Sequence, residues 1–153
     1  MMRIREVFAA SRSERGSASL EFIAAGVLLI VPLVYLVLAL GRIQAGTMAA
    51  ESVARQAVRM YVTAQTPALA SARVAMAVSD GLADFHFETP SGVTSVSCLP
   101  ARAVCLAPSS TVTVTQRIIV SLPFVPAILG LEKFAQVTVS AQATQRVALG
   151  AGG

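Results

Sequence analysis

The chain has 153 residues, of which 55% are hydrophobic and 13% are charged, and it contains no tryptophan. This length accommodates one modest domain, and a mean hydropathy of +0.70 is unusual for a soluble protein. The formal net charge is +4, but the basic residues are scattered singly rather than clustered, which argues against nucleic acid as a partner.

An apolar run from Phe22 to Leu40 carries no charge over nineteen residues. As a helix it would be about 28 Å long, close to the thickness of a bilayer core. The run is longer than the apolar region of a secretory signal peptide, and the residues after it favour more helix rather than a cleavage loop. We therefore expect a membrane anchor, in which Pro32 is tolerated as an ordinary kink.

The flanks of this run predict its orientation. Residues 1–16 are polar and mixed in charge, and they carry a small excess of basic residues. Four arginines lie in the flank before the run and three in the flank after it: Arg3, Arg5, Arg12 and Arg15, then Arg42, Arg55 and Arg59. Because basic residues close to a membrane stay cytoplasmic, we expect a single-pass protein of the cytoplasmic (inner) membrane, with about 110 residues outside.

Residues 17–62 are predicted to form one helix whose second half is amphipathic. Glu51, Arg55 and Arg59 follow each other at four-residue spacing on one face, and Glu51 and Arg55 have the favourable order for an ion pair. The expected buried stripe on another face consists of Ile43, Met48, Val53, Ala57 and Tyr61.

A second helix is predicted within residues 63–85, with Thr66 as its N-cap and Pro67 in its first position. Asp80-Gly81 is expected to end or interrupt this helix. Its larger apolar residues are expected to pack against the first helix or a sheet: Leu69, Val74, Met76 and Val78.

From residue 92 onward the apolar period changes to two, which is typical of strands. Segments 92–98 and 102–107 are short strand candidates that would form a hairpin around Ala101 and Arg102. Segments 110–122 and 135–149 alternate over longer stretches on either side of a Pro/Gly loop, which predicts an antiparallel sheet with one wet face. The expected inner face carries Val112, Val114, Ile118, Val120 and Leu122, then Val137, Val139, Ala141, Ala143, Val147 and Leu149.

The expected fold class is therefore α+β. A long membrane-spanning helix continues as an amphipathic helix, and a second helix and a small antiparallel sheet follow it. Cys98 and Cys105 both lie beyond the apolar run. If that part of the chain is extracytoplasmic, a disulfide is the natural interpretation, and the alternative is two buried free thiols.

Residues suited to catalysis or metal binding are sparse. The single histidine, His86, lies between two aromatic residues, and no set of further metal ligands is near it in sequence. Asp80, Asp84 and Glu88 are spaced four residues apart, which is typical of a solvated helical face. No phosphate-binding or nucleophile motif occurs, so we expect neither an enzyme nor a cofactor, a metal or a small-molecule substrate.

Glu21 stands directly before the uncharged run. The positive end of the helix dipole makes an anion tolerable there. A capping box is excluded, because Ala18 rather than Ser or Thr lies three residues earlier. Cleavage between Gly16 and Ser17 would create an ammonium group four residues before this carboxylate, and so provide a partner in its own or a neighbouring chain.

The segment RGSASLEF with the apolar helix after it resembles a type IV prepilin processing site, and is most similar to the TadE/TadF-like minor pseudopilins of the tight-adherence (Tad/Flp) pilus system. Gly16 matches the residue before the cut, Ser17 the new N-terminus, Glu21 the fifth mature residue and Phe22 the aromatic after it. The continuation GRIQAGTMAAESVARQAVRMY and the strand VTVSAQATQRV are also similar to that family. The match is strong over about 45 residues, and in the rest of the chain only the predicted order of helices and strands is similar.

The resemblance implies that a membrane prepilin peptidase removes residues 1–16, and that the chain then assembles with pilins, other pseudopilins and the pilus assembly platform. Residues 17–62 would be the membrane and amphipathic helix, and residues 63–153 an extracytoplasmic α+β domain. Such a domain exceeds what a major pilin carries, which favours a minor pseudopilin of either the TadE or the TadF type. Glu21 would pair with the Ser17 ammonium of an adjacent subunit and fix the axial register.

Two other interpretations stay open. The first is an uncleaved, signal-anchored envelope protein whose outer domain binds a partner. The second is an envelope enzyme, which the missing catalytic residues disfavour.

Overall fold

The computed structural model describes residues 4–88, 92–101, 105–125 and 134–148, and side chains from residue 19 onward. In these ranges the chain forms two helices followed by three strands. They are α1 (Ile4–Val62), α2 (Pro67–Ala83), β1 (Gly92–Leu99), β2 (Thr111–Ser121) and β3 (Gln136–Arg146). The expected α+β fold class is confirmed: a long apolar N-terminal helix, a second helix and a three-stranded antiparallel sheet.

The chain divides into two compact units, Met1–Ala39 and Leu40–Gly153. In the first unit the described backbone is helical from Ile4, and the helix includes Gly16, Ser17 and Pro32. The expected boundary between residues 16 and 17 therefore falls inside a helix rather than at its beginning.

In the second unit, α1 packs through a stripe of small residues. Gly46, Ala49, Ala50, Val53 and Ala57 are all buried. Small side chains let the helix backbone approach its neighbours closely, and a Cβ atom at Gly46 would overlap the side chain of Val120 in β2. The core of this unit therefore depends on the absence of side-chain volume on one face of α1.

The expected buried stripe on α1 is confirmed at Val53 and Ala57, whereas Ile43 and Tyr61 are only half-buried. It is wrong at Met48, whose side chain is exposed. Met48 lies five positions from Val53, which is about 140° around a helix with 3.6 residues per turn. The helix turns its small residues, rather than its most hydrophobic ones, toward the core.

Helix α2 begins as the sequence predicts. The Thr66 hydroxyl accepts a hydrogen bond from the Leu69 amide at 3.2 Å, and Pro67 occupies the first turn. The expected end or interruption at Asp80-Gly81 is wrong, because the helix continues to Ala83. Gly81 faces α1, and a Cβ atom there would lie 2.7 Å from Cγ2 of Val53, so this glycine provides close helix packing.

The apolar residues of α2 divide between the core and the surface. Val74 and Val78 are buried as expected, together with Ala70, Ala77 and Leu82. The expectation is wrong for Leu69 and Met76, which are exposed. As on α1, residue size does not predict which face is buried.

The sheet has the order β1-β2-β3, with both pairs antiparallel. The alternation expected in β2 is confirmed, since Val112, Val114, Ile118 and Val120 are fully buried. Gln116 is buried in the same row. Its side-chain oxygen accepts a hydrogen bond from the Thr94 hydroxyl, and its Nε2 donates to the Arg117 carbonyl at 3.2 Å. This amide is therefore satisfied within an apolar layer.

In β3 the expected inner face is half-buried from Val137 to Ala143. Val147 follows the strand and is buried, and its amide donates to the Ser110 carbonyl at 2.8 Å. Leu149 lies outside the described residues. Leu122 is half-buried just after β2.

The expected hairpin between segments 92–98 and 102–107 is wrong. Strand β1 pairs with β2 in a register that runs from Gly92 opposite Ile118 to Leu99 opposite Thr111. The residues Cys105–Ala107 lie in turns, and residues 102–104 lie outside the described ranges. A long alternating partner satisfies more backbone groups of β1 than a six-residue segment offers.

Cys98 and Cys105 nevertheless form a disulfide bond, with their Cα atoms 5.5 Å apart. The bond joins the end of β1 to the turn that precedes β2 and closes a loop with a sequence separation of 7. The disulfide therefore links the two segments that were expected to pair as a hairpin.

We expect Gly46→Ala to lower the free energy of unfolding of the second unit by about 1 kcal/mol or more, because the added methyl group overpacks against Val120 and this exceeds the gain in helix propensity. The measurement is denaturant-dependent protease resistance of the detergent-solubilised protein. Gly41→Ala is the matched control, since a Cβ atom there has nothing within 4 Å. Equal stabilities of the two variants would contradict the close packing at Gly46.

Candidate functional site

The side chains of the apolar run are exposed in the first unit. Phe22 is 81% exposed, and the large residues after it are exposed up to Leu40, apart from Tyr35, which is half-buried. In the described part of the chain, one helix is long and apolar enough to cross a membrane, and its most apolar window has a mean hydropathy of 2.8 with none of its residues buried. An apolar surface of this extent needs a cover of lipid or of protein. It is consistent with single-pass membrane anchoring.

Glu21 lies at the beginning of this surface, between the exposed side chains of Leu20 and Phe22. Its own side chain is exposed. Among the side chains that the structure describes, none forms an ion pair or hydrogen bond with this carboxylate. A charge beside an exposed apolar surface, with no partner among the side chains from residue 19 onward, is the feature of this helix that most needs an explanation.

The residues of the expected processing site lie on the same helix. The Gly16–Ser17 bond is within α1, and Ser17 precedes Glu21 by four positions, or about one turn. Side chains of α1 point back toward its N-terminus, so the carboxylate leans toward the turn that contains Ser17. Gly16, Ser17, Glu21 and Phe22 are thus brought together on two consecutive turns.

A peptidase must extend the backbone around the bond that it cuts, so cleavage after Gly16 requires α1 to unwind there. Glycine inside a helix is destabilising by about 1 kcal/mol relative to alanine. Gly16 therefore lowers the cost of the local opening that gives access to this bond.

Beyond the apolar run, Arg42 is the first charged residue. Its guanidinium carbon lies 5.6 Å from the ring centroid of Phe87, a residue of the core of the second unit. A cation over an aromatic face is attractive, and this contact holds the Arg42 charge against the core of the second unit. This contact is not predictable from local sequence patterns, because the two residues are far apart in the chain.

The remaining charges that the sequence singles out lie at the surface. The expected Glu51–Arg55 pair is confirmed at 3.1 Å, with both side chains exposed, so its contribution to stability is small. Asp80, Asp84, His86 and Glu88 are exposed. In the described ranges, no three His, Cys, Asp or Glu side chains are grouped so as to hold a metal ion.

Among the open grooves on the second unit, two border the sheet. The first, of about 540 Å³, runs between α1 and β3 past Arg55, Arg59 and Thr144. The second, of about 490 Å³, runs between α2 and β1 past Val78 and Thr94. Neither lining contains a His, Cys, Asp or Glu residue, so neither groove presents a titratable acid or base of these types.

No known protein family, characterised protein or solved structure matches this chain. The functional interpretation therefore depends on the residue pattern from Gly16 to Phe22 and on the exposed apolar helix behind it.

We expect Leu29→Arg combined with Leu33→Arg to release the protein from membranes, because each arginine near the centre of a span makes insertion about 2.5–3.5 kcal/mol less favourable. The measurement is the fraction that stays in the pellet after alkaline carbonate extraction. The matched control is Met48→Arg combined with Met76→Arg, which places the same charges at exposed positions of the second unit. Retention of both variants in the membrane would contradict a membrane span at Phe22–Leu40.

Proposed function

We propose that this chain is a minor pseudopilin of a tight-adherence (Tad/Flp) pilus, of the TadE/TadF-like class. It is inserted once in the cytoplasmic membrane, with its N-terminus inside and residues 40–153 outside. A prepilin peptidase removes residues 1–16, and the mature chain then joins pilins and other pseudopilins at the assembly platform. The chain acts as a structural component rather than as an enzyme.

The observation that carries this proposal is the exposed carboxylate of Glu21 at the head of an exposed apolar helix. A permanent lipid anchor gains nothing from an acid at that position. A helix that leaves lipid and packs beside identical or related helices stays in apolar surroundings throughout, and it needs a polar contact to set the axial register. A carboxylate opposite a neighbour's ammonium group provides such a contact, and it is strengthened where water is excluded.

Cleavage after Gly16 supplies the ammonium group. In the uncut chain the Ser17 nitrogen is an amide within α1, about three and a half turns after the helix begins. After cleavage it becomes a charged amine at the beginning of the helix, one turn before Glu21. Removal of the leader therefore deletes the charged segment before the span and creates the cation that the acid requires.

An uncleaved anchor is the second candidate, because α1 is continuous through the Gly16–Ser17 bond. In that case the second unit would bind its partner from a fixed position at the membrane. This candidate gives no role to Glu21 or Gly16, and the two predictions below distinguish it from the pseudopilin.

We expect Gly16→Leu to block removal of the leader for two reasons. A bulky side chain before the bond does not fit a peptidase site that accepts glycine. Leucine also stabilises the helix around the uncut bond relative to glycine. The measurement is gel mobility of the protein in cells that contain a prepilin peptidase, where the variant should migrate as the longer species. Gly41→Leu, at an exposed helical position, should be processed as the parent chain is. Equal mobility of the parent and Gly16→Leu would contradict processing at this bond.

We expect Glu21→Gln to leave membrane insertion and processing intact, because glutamine is neutral and nearly isosteric. Its incorporation into filaments should fall at least roughly tenfold, since the amide cannot form the ion pair with the Ser17 ammonium. The measurement is the amount of the variant in sheared pilus fractions relative to membranes. Glu51→Gln removes an exposed carboxylate of the second unit and serves as the control. Undiminished incorporation of Glu21→Gln would rule out a role for this acid in assembly.

A further inference from the structure

Strand β3 is an open edge of the sheet. It pairs with β2 along one side, and within the described ranges no backbone group of another segment pairs with its other side. Proteins usually block such edges with charged residues, prolines or bulges, because unpaired amide and carbonyl groups invite pairing with another chain. Residues 136–145 contain no charge and no proline, and their register with β2 is continuous. This edge is therefore able to accept a further strand.

The groove between α1 and β3 lies along this open edge. Its described lining comes from residues 52–59 of α1 and residues 143–145 of β3 and includes no residue of β2, so it lies on the unpaired side of β3. Thr144 borders the groove although its hydroxyl group is 2.9 Å from that of Thr113 on the outer face of the sheet. The backbone of the edge is thus open to the groove.

The groove carries positive charge. Arg55 and Arg59 line it from α1, and both side chains are exposed. Arg55 pairs with Glu51, whereas the Arg59 guanidinium group has no ion pair or hydrogen bond with any side chain that the structure describes. No acidic residue is among the described lining. An occupant with carboxylate groups would therefore complement this groove.

The spacing of the two arginines matches the repeat of an extended chain. Arg55 and Arg59 are four residues apart, which is about 6 Å along a helix. Alternate residues of a strand lie on one face, about 6.6 Å apart. Helix α1 and strand β3 run in the same direction, since a Cβ atom at Gly46 would lie 3.4 Å from Val139 and the groove lies farther along both elements. A strand beside β3 could therefore place two alternate acidic side chains opposite the two arginines.

We propose that this groove binds an extended acidic segment of another protein, which adds to the sheet beside β3 and directs two alternate carboxylates toward Arg55 and Arg59. Main-chain hydrogen bonds to the edge would supply affinity, and the two charge pairs would supply specificity. The inference concerns the second unit alone. It does not depend on the membrane span, on processing or on pilus assembly.

A peptide is favoured over other anions because of the β3 edge. A polyphosphate can meet the arginines, but it has no amide groups to donate to the carbonyl groups of the strand.

A second copy of this chain is a poorer occupant. Two copies joined antiparallel through their β3 edges would bring Arg55 and Arg59 of both onto the same side of the joined sheet, where like charges repel. The β1 edge of a second copy would bring the groove between α2 and β1, whose described lining contains no acidic residue.

The test uses the full chain in non-ionic detergent and a short labelled peptide of alternating valine and aspartate with blocked ends. Fluorescence anisotropy at low ionic strength measures its affinity. We expect Arg59→Gln to weaken binding about threefold to fivefold, because one exposed charge pair is lost. Arg117→Gln is the matched control, since this exposed arginine lies on the outer face of the sheet, opposite Val93 and Ser140, and it should bind as the parent chain does.

Two further peptides test strand addition itself. One is N-methylated at its valines and the other at its aspartates, so that both keep the same charge. Alternate amides of a strand point to the same neighbour, so methylation of one set should abolish binding and methylation of the other set should preserve it.

Absence of binding of the unmethylated peptide at the highest soluble protein concentration would overturn the inference. Equal affinity of Arg59→Gln and the parent chain would exclude this groove as the site. Undiminished binding of both methylated peptides, or equally strong displacement by polyphosphate, would overturn the inference in favour of non-specific attraction of anions. Dimers that form in light scattering and exclude the peptide would overturn it in favour of a second copy. A native Cys98–Cys105 disulfide in each variant verifies that the unit is folded.

Discussion

The exposure of the apolar surface from Phe22 to Leu40 is the constraint on which the rest of the molecule depends. A helix of this length that buries none of its most apolar window inside the fold must be covered by another medium. Lipid can cover it permanently, and neighbouring helices can cover it in a filament. Both are apolar, so under the proposed function transfer from one to the other would require little change in solvation, and the polar group at the head of the run would distinguish the two states.

The second unit is built to bring a sheet and a helix close to the continuing part of α1. Gly46 of α1 leaves space for Val120 of β2, and Gly81 of α2 leaves space for Val53. Gln116 sits within the apolar row of β2 with its amide satisfied by Thr94 and a backbone carbonyl. The disulfide between Cys98 and Cys105 fastens the connection after β1. Because the α1 face of this core consists of small side chains, the stability of the unit depends on how closely its helices and sheet approach one another rather than on the volume of the buried side chains.

Much of this architecture is predictable from local patterns. Thr66 and Pro67 mark the beginning of α2, and the strict alternation in β2 and β3 identifies both strands and their inner faces. The partner of β1 is not predictable in this way, because segments that are distant in the sequence compete to pair with the same strand. The long alternating β2 offers β1 more backbone hydrogen-bond partners than the segment around Cys105 does. The places of Gly81 and Met48 are also not predictable from local patterns. Glycine often marks the end of a helix, but inside a helix such as α2 it allows close packing against a neighbouring helix. A large apolar residue such as Met48 does not fit into a tightly packed interface. The roles of Glu21 and Gly16 stay predictions. The proposed partner of Glu21 is the Ser17 ammonium group of a cleaved chain, and the proposed partner of Gly16 is a peptidase.

The central claim is that residues 1–16 are a leader whose removal gives Glu21 its cation. The most direct test is the intact mass of the protein extracted from the membranes of its own cells. The account predicts that the polypeptide begins at Ser17, so that its mass lacks residues 1–16, and that Cys98 and Cys105 are oxidised. A mass that still includes residues 1–16 would contradict it and would favour the uncleaved anchor.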